Sequence, residues 1–288
     1  MDDINDIITD EINILLNKKI DNIKSILVLS GGAIKGVAQI GALQYLEENN
    51  MLKDIKIISA TSAGSIIGFL YMIGYSFLEL FDFMKIIDMN NTKKINISNI
   101  FSKYGLDDGN RIIIVIKKLM NAKQIDENIT FNDLFILTNK SLIITGTCIN
   151  DKKVYYFNYK NYPEMKVLDA IRISISIPII MTPCMFEGKM FVDGACIDNF
   201  PISIFENKNK IIGIYVTEEI KYVDKIKSID EYLINLVKCI FEGVVQKEIS
   251  TENIIVIRCN KHSESQEDII EMFEHGYNTA KNFMCNFH

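Results

Sequence analysis

Ile55 to Gly68 reads I-K-I-I-S-A-T-S-A-G-S-I-I-G, an apolar run that breaks into small residues and resumes at Ile66. The pattern suits a buried strand that turns sharply into a buried helix. Ser62 stands at the turn, with Ala60 two residues before it and Gly64 two residues after. On so tight a turn the hydroxyl is pushed clear of the backbone, beside the unpaired N–H groups that open the helix. Small neighbours are required because a larger Cβ collides where the chain doubles back. Such a turn displays a serine nucleophile, here with alanine at 60 where glycine is usual. The competing reading is that small residues merely let a helix lie close to a sheet, since short motifs recur by chance.

Upstream, a second unit follows the same grammar. Ser25 to Ser30, S-I-L-V-L-S, reads as a short buried strand that runs into Gly31-Gly32-Ala33-Ile34-Lys35-Gly36 and a helix from about Val37 to Asn49. A glycine-rich turn before a helix aims several backbone N–H groups at one spot, and the helix dipole adds partial positive charge there. The nest suits either a phosphate or the oxyanion of an acyl-transfer intermediate. A nucleotide P-loop fits poorly, because it ends in G-K-[ST] and the order here is Lys35-Gly36-Val37. The dinucleotide fingerprint fails at Ala33, where its second glycine belongs. The oxyanion reading holds if a nucleophile lies near. Neighbouring strands of a parallel α/β sheet open their C-terminal loops on one edge, so the 31–36 turn and Ser62 are expected to meet.

The remaining chain reads as alternating helices and strands. Residues 2–23 place Ile4, Ile8, Ile12, Leu15, Leu16, Ile20 and Ile23 at helical spacing, which predicts an amphipathic helix over 1–24 packed on the domain. Phe77 to Ile87 predicts another helix. Residues 88–105 lack periodicity and suit a mobile flap over the site or a plain surface connection. A helix is expected from Asn110 to Met120, and a hairpin from Ser141–Ile149 and Lys153–Asn158. Val167 to Ile177 starts as a helix before Pro178 and Pro183 force extended chain. Lys189 to Ala195 is a strand ending in Asp193-Gly194, by itself an ordinary turn. A strand over 210–217, a long helix over 227–247, a strand over 253–259 and a helix over 266–284 complete the chain. The 288 residues show no internal repeat or low-complexity linker, so residues 25–288 read as a single α/β domain.

Composition narrows the function. Apolar content of 48% and charged content of 24% describe an ordinary soluble globular chain. A net charge of −6 argues against nucleic acid and against purely electrostatic attachment to anionic membranes. Six scattered cysteines without C-x-x-C, and an N-terminus unlike a signal peptide, point to reduced thiols in a cytoplasm-like compartment. Residues 57–78 carry no charge and are long enough to span a bilayer, but Ser59, Thr61, Ser62, Ser65 and Ser76 favour a strand–turn–helix over a transmembrane segment. No His/Cys/Asp/Glu cluster has ligand spacing, so neither a metal nor another cofactor is expected.

Taken together, three blocks resemble the patatin-like phospholipase family of lipid acyl hydrolases: Ser30 to Gly36, Thr61-Ser62-Ala63-Gly64, and Asp193-Gly194-Ala195. Gly105 to Asn110, the A-x-R-x-S-x-S-x-P spacing of Ala170 to Pro178, and Asn199-Phe200-Pro201 extend the resemblance over about 25–217 in the family's block order. The resemblance implies a three-layer α/β/α fold around a central, mostly parallel sheet. It also implies a Ser–Asp dyad, with Ser62 as nucleophile and Asp193 as its only side-chain partner. Within the loop of Gly31, Gly32, Ala33, Ile34, Lys35 and Gly36, backbone N–H groups around Gly32 and Ala33, extending to Ile34, would form the oxyanion hole, with Lys35 bracing the loop or adding positive charge beside it. The substrate would be a phospholipid or neutral lipid at a membrane or micelle surface, with a protein activator left open and the enzyme cytoplasmic or peripheral to membranes. Ala33, Ala60 and Ala195 depart from glycine, and alanine tolerates φ > 0 poorly.

Two alternatives accompany this reading. All three histidines lie after these motifs, and the order Ser62, Asp193, His275 would match an α/β-hydrolase triad. The other alternative is a catalytically inactive lipid- or anion-binding protein. Phe69, Met181, Met185 and Phe186 are candidates to line an acyl channel, although such apolar residues are more often simply core.

Overall fold

The computed structural model describes residues 23–86, 98–218, 222, 224–245, 253–260 and 265–285. Strand β1 (Ile26–Leu29) passes through a 3-10 turn at Ala33–Lys35 into helix α1 (Gly36–Glu48), and β2 (Ile57–Ala60) passes directly into α2 (Ala63–Met72). Next come α3 (Phe77–Ile86), α4 (Ser98–Lys103), β3 (Gly105–Asp107), α5 (Asn110–Ala122) and α6 (Phe131–Thr138). The hairpin β4 (Ser141–Cys148) and β5 (Lys153–Phe157) leads to α7 (Val167–Ser174), β6 (Ile179–Met181), β7 (Cys184–Phe186) and β8 (Lys189–Asp193). The chain closes with β9 (Ile211–Thr217), α8 (Ile229–Val245), β10 (Ile254–Arg258) and α9 (Gln266–Cys285).

The main sheet runs β10-β9-β1-β2-β4-β8-β7, with β5 also on β4. Strands β10, β9, β1, β2 and β4 are parallel, and β5, β8 and β7 join antiparallel. This is the α/β class with the mostly parallel central sheet, flanked by helices. The register of β4 decides where the site forms. Ile144 pairs with both Ala60 and Phe157, so β2 and β5 occupy opposite edges of β4. Gly146 pairs with both Tyr155 and Asp193, which puts β8 on the edge that β2 has just vacated. Asp193 therefore arrives about 7 Å beyond Ala60 along the strand direction, level with the turn that carries Ser62.

Alternate residues of the strands face two cores, as the period of two requires. Leu27 and Leu29 join the larger core with Leu43, Leu46, Phe69 and Met272 from the helices. Ile26 and Val28 face a smaller cluster closed by Phe200 and Tyr215. Helices α1 and α9 cross with their backbones in contact: an added Cβ at Gly276 would sit 1.8 Å from the Ala38 carbonyl oxygen.

The uncharged run over 57–78 is divided between β2 and α2, and no described helix is long and apolar enough to cross a membrane. Residues 1–22 and 88–97, given above to an amphipathic helix and most of a flap, lie outside the described residues. The rest of that aperiodic stretch holds α4 and β3, each too short for a period to register. The parallel pair β3–β6 escaped sequence reading for the same reason.

Candidate active site

Ser62 adopts φ 52° and ψ −122°, a conformation that side-chain-bearing residues rarely hold. Several contacts fix it there. Its N–H donates to Ser174 Oγ at 2.8 Å, and its carbonyl accepts from the Ser65 N–H at 2.9 Å and the Ser65 hydroxyl at 2.6 Å. A Cβ on Gly64 would lie 2.7 Å from the Ser30 carbonyl oxygen and 2.8 Å from Leu29 Cβ, so only glycine lets α2 start this close to β1. Ala60 is a regular strand residue, and the alanine there costs nothing.

Asp193 ends β8 and is completely buried, while Ser62 is 6% exposed. One carboxylate oxygen, Oδ1, accepts the Ala195 N–H at 2.9 Å. The other, Oδ2, has no hydrogen-bond partner among the described residues. Burial pushes the Asp193 carboxyl up to about 7, against the opposing pull of the Ala195 N–H and then of the nearby Ser62 hydroxyl. A buried carboxylate with one open lone-pair face beside a serine hydroxyl can accept a proton near neutral pH. The glycine after Asp193 is dictated by space, since a Cβ there would sit 2.2 Å from Thr145 Oγ1.

The 31–36 turn lies against this pair. A Cβ on Gly31 would be 3.1 Å from Ser62 Cβ, and one on Gly36 would be 3.2 Å from Ala63 Cβ. The six loop residues divide into two groups. The N–H groups of Gly31, Lys35 and Gly36 are already engaged: Gly31 by Asn199, Lys35 by the Gly32 carbonyl at 3.0 Å, and Gly36 by the carbonyls of Ala33 and Ile34. Those of Gly32, Ala33 and Ile34 have no acceptor among the described residues. Gly31 is thus engaged from outside the turn, by Asn199, whereas Lys35 and Gly36 are engaged by the turn's own carbonyls. Ala33 holds φ 48°, so of the three alanines that replace glycine only this one sits in the left-handed region.

Lys35 points away from the turn and pairs with Glu218 at 2.8 Å, and Lys238 of α8 pairs with the same carboxylate at 2.9 Å. Burial works to raise Glu218, but hydrogen bonds and charge from the two lysines outweigh it and hold the group at about 2. Lys35 is therefore a brace between the turn and the end of β9.

Several supporting residues were invisible in the sequence as individuals. Ser174 holds the Ser62 amide, and the Ser176 carbonyl accepts the Asp193 N–H at 2.9 Å, so the end of α7 supports both halves of the pair. Arg172 secures that end by donating to Ser176 Oγ, to the Asp108 carbonyl and to Thr182. Thr61 meets Thr145 Oγ1 at 2.6 Å and donates to the Asp198 carbonyl at 3.1 Å. The spacing of residues 170–178 was the available signal, but spacing carries no information about partners.

The structure separates other candidates from the site. His275 Nε2 lies 2.9 Å from the Arg258 carbonyl oxygen at the end of β10. That strand stands three inter-strand spacings from β2, about 14 Å, so the Ser62–Asp193–His275 triad does not form. His262 and His288 lie outside the described residues. Phe69 is wholly buried in the larger core and lines no channel; Met181 and Phe186 pack on the core margin, and Met185 is exposed. Among the described residues no group of three or more His, Cys, Asp or Glu is arranged to hold a metal.

Comparison with known proteins identifies the family. A model of the patatin-like phospholipase family matches residues 27–206. The chain is 30% identical over 270 residues to an uncharacterized protein of Acanthamoeba polyphaga mimivirus, covering 87% of this chain and 88% of the relative. It is 35% identical over 183 residues to a probable lipid hydrolase of Invertebrate iridescent virus 6, covering 62% of each. VipD of Legionella pneumophila shares the fold, with a TM-score of 0.61 at 16% identity over 92% of this chain and 67% of that one. On a family match that spans well over half of its length, the chain belongs to the patatin-like phospholipase family of lipid acyl hydrolases.

Proposed function

We propose that the protein hydrolyses fatty-acyl esters of phospholipids or neutral lipids through a Ser62–Asp193 dyad. The observation that carries this reading is the open Oδ2 of a fully buried Asp193 beside the Ser62 hydroxyl, with unpartnered amides on the adjoining turn. Ser62 Oγ attacks the ester carbonyl carbon as its proton passes to Asp193, and the carbonyl oxygen becomes an oxyanion held by the N–H groups of Gly32, Ala33 and Ile34. The C–O bond to the alcohol breaks, and Asp193 returns the proton to the leaving oxygen. Water then attacks the acyl-serine, giving a proton to Asp193; the second oxyanion collapses, the acyl C–Oγ bond breaks, and Asp193 returns the proton to Ser62 Oγ as the fatty acid leaves. Seclusion of the pair strengthens each of these electrostatic contacts. The substrate is drawn from a membrane or micelle surface.

A fluorophosphonate probe followed by a panel of phospholipid and neutral-lipid substrates tests the reading. Labelling and turnover that both vanish in Ser62→Ala support it. Folded wild-type protein that neither labels nor turns over any ester sinks it in favour of a binding protein.

A further inference from the structure

We propose that Asn199 is a positioning residue for the oxyanion turn: it takes the Gly31 N–H and thereby leaves the next three amides facing the Ser62 hydroxyl. This inference rests on the hydrolase reading above. The Gly31 N–H is shared between two acceptors of one residue, Asn199 Oδ1 at 3.0 Å and the Asn199 carbonyl oxygen at 3.2 Å. The fit is close, for a Cβ on Gly31 would lie 2.5 Å from Asn199 Oδ1 and 3.1 Å from Ser62 Cβ. Gly31 is therefore wedged between the amide side chain and the serine, and the direction of its N–H sets the peptide planes that follow.

Asn199 also belongs to the turn that begins at Asp193. Within that turn the Asp198 carbonyl accepts the Thr61 hydroxyl, and the Asp198 side chain accepts Tyr156 OH at 2.8 Å and the Phe200 N–H at 3.2 Å. One short segment thus carries the carboxylate, touches the residue before the serine and clamps the amide turn. A shift of that segment would move all three parts together. Loss of the Asn199 side chain would remove one of the two acceptors that aim the Gly31 N–H and so loosen the amide turn alone, while the longer bond to the Asn199 carbonyl keeps the two segments in register.

The test compares wild type with Asn199→Ala on the lipid ester that turns over best. The expected result is a kcat about tenfold lower, the scale of one charge-assisted contact to the transition state, with KM within about twofold. Affinity for a trifluoromethyl ketone analogue, which becomes tetrahedral on Ser62, should fall by the same factor. Affinity for a non-hydrolysable ether lipid should not change, and neither should the thermal midpoint. If Asn199→Ala does not fold, Asn199→Ser, whose shorter hydroxyl falls short of Gly31, carries the same expectation. An unchanged kcat, or equal weakening of the ketone and the ether lipid, overturns the inference. Fluorophosphonate labelling separates the two levels: Ser62-dependent labelling at the wild-type rate in Asn199→Ala defeats the positioning role alone, whereas labelling that persists in Ser62→Ala defeats the hydrolase reading itself.

Discussion

Strands β1 and β2 are parallel neighbours, with Ile26 opposite Ile57 and Leu29 opposite Ala60, and each ends in a turn that opens a helix. The two turns nevertheless present different chemistry. The first spreads over Gly31–Gly36, includes a 3-10 turn and leaves a row of amides without acceptors among the described residues. The second is confined to Thr61 and Ser62, concentrates the change of direction on one residue at φ 52° and projects that residue's side chain. Turn length is the cause. A long turn shares the reversal among several residues and exposes backbone, whereas a short one forces a single residue out of its preferred region and displays its hydroxyl. Placed side by side by the sheet, they supply the hydroxyl and the amides that the proposed acyl transfer requires.

The largest effect that can break this contrast lies in the short turn. Ser62→Ala and Ser62→Gly should both lose activity by at least about a thousandfold. They should differ in stability, since glycine holds φ 52° without steric cost and alanine does not. Thermal melts should place Ser62→Gly above Ser62→Ala by about 1 kcal/mol. Equal melting points would mean that the short turn stores no strain.

Asp193→Asn is expected to lower kcat by about a hundredfold or more, as loss of a proton acceptor does. It should also stabilise the protein. The folded carboxyl is raised from about 4 to about 7, so its contribution to stability is fully present below pH 4 and is lost as pH rises through 7. At pH 8 the variant should exceed wild type by about 4 kcal/mol, and at pH 4 the two should coincide. The same titration requires wild-type kcat/KM to rise with pH through about 7, because only the deprotonated group accepts the Ser62 proton. Flat profiles of rate and of stability difference would remove Asp193 from the mechanism.

Smaller effects sharpen the long turn. Lys35→Met leaves Glu218 with Lys238 but cuts the brace, and steady-state kinetics should show kcat down by about fivefold with KM little changed. Ala33→Gly should change kcat by less than about twofold and raise stability by about 1 kcal/mol, the cost of a left-handed alanine. A large rate gain on that change would mean that the alanine distorts the amide row.

Much of this was legible in the chain. The apolar runs 26–29 and 57–60, the small residues after each, and the Asp-Gly that closes β8 were all readable, because a strand–turn–helix unit writes its signature in consecutive residues. The braces were not. Ser174 meets Ser62 across 112 residues, and Asn199 meets Gly31 across 168; a serine in a helix and an asparagine in a turn have many ordinary reasons to be there. The His275 alternative was consistent with sequence order and failed on lateral position, since chain order does not say how many strands lie between two residues. Phe69, read as a channel or core residue, is wholly buried in the larger core.

By itself the sequence determined which residue types were available and which local shapes would carry them: a serine on a sharp turn, amides on a glycine-rich turn, an aspartate at a strand end. Only the tertiary structure decided that β8 takes the edge of β4 vacated by β2, that three of the loop's amides meet no acceptor among the described residues, and that the Asp193 carboxyl is driven up to about 7. The physical reason is that local conformation follows from neighbouring residues, whereas burial, free hydrogen-bond capacity and proton affinity depend on what distant segments bring alongside.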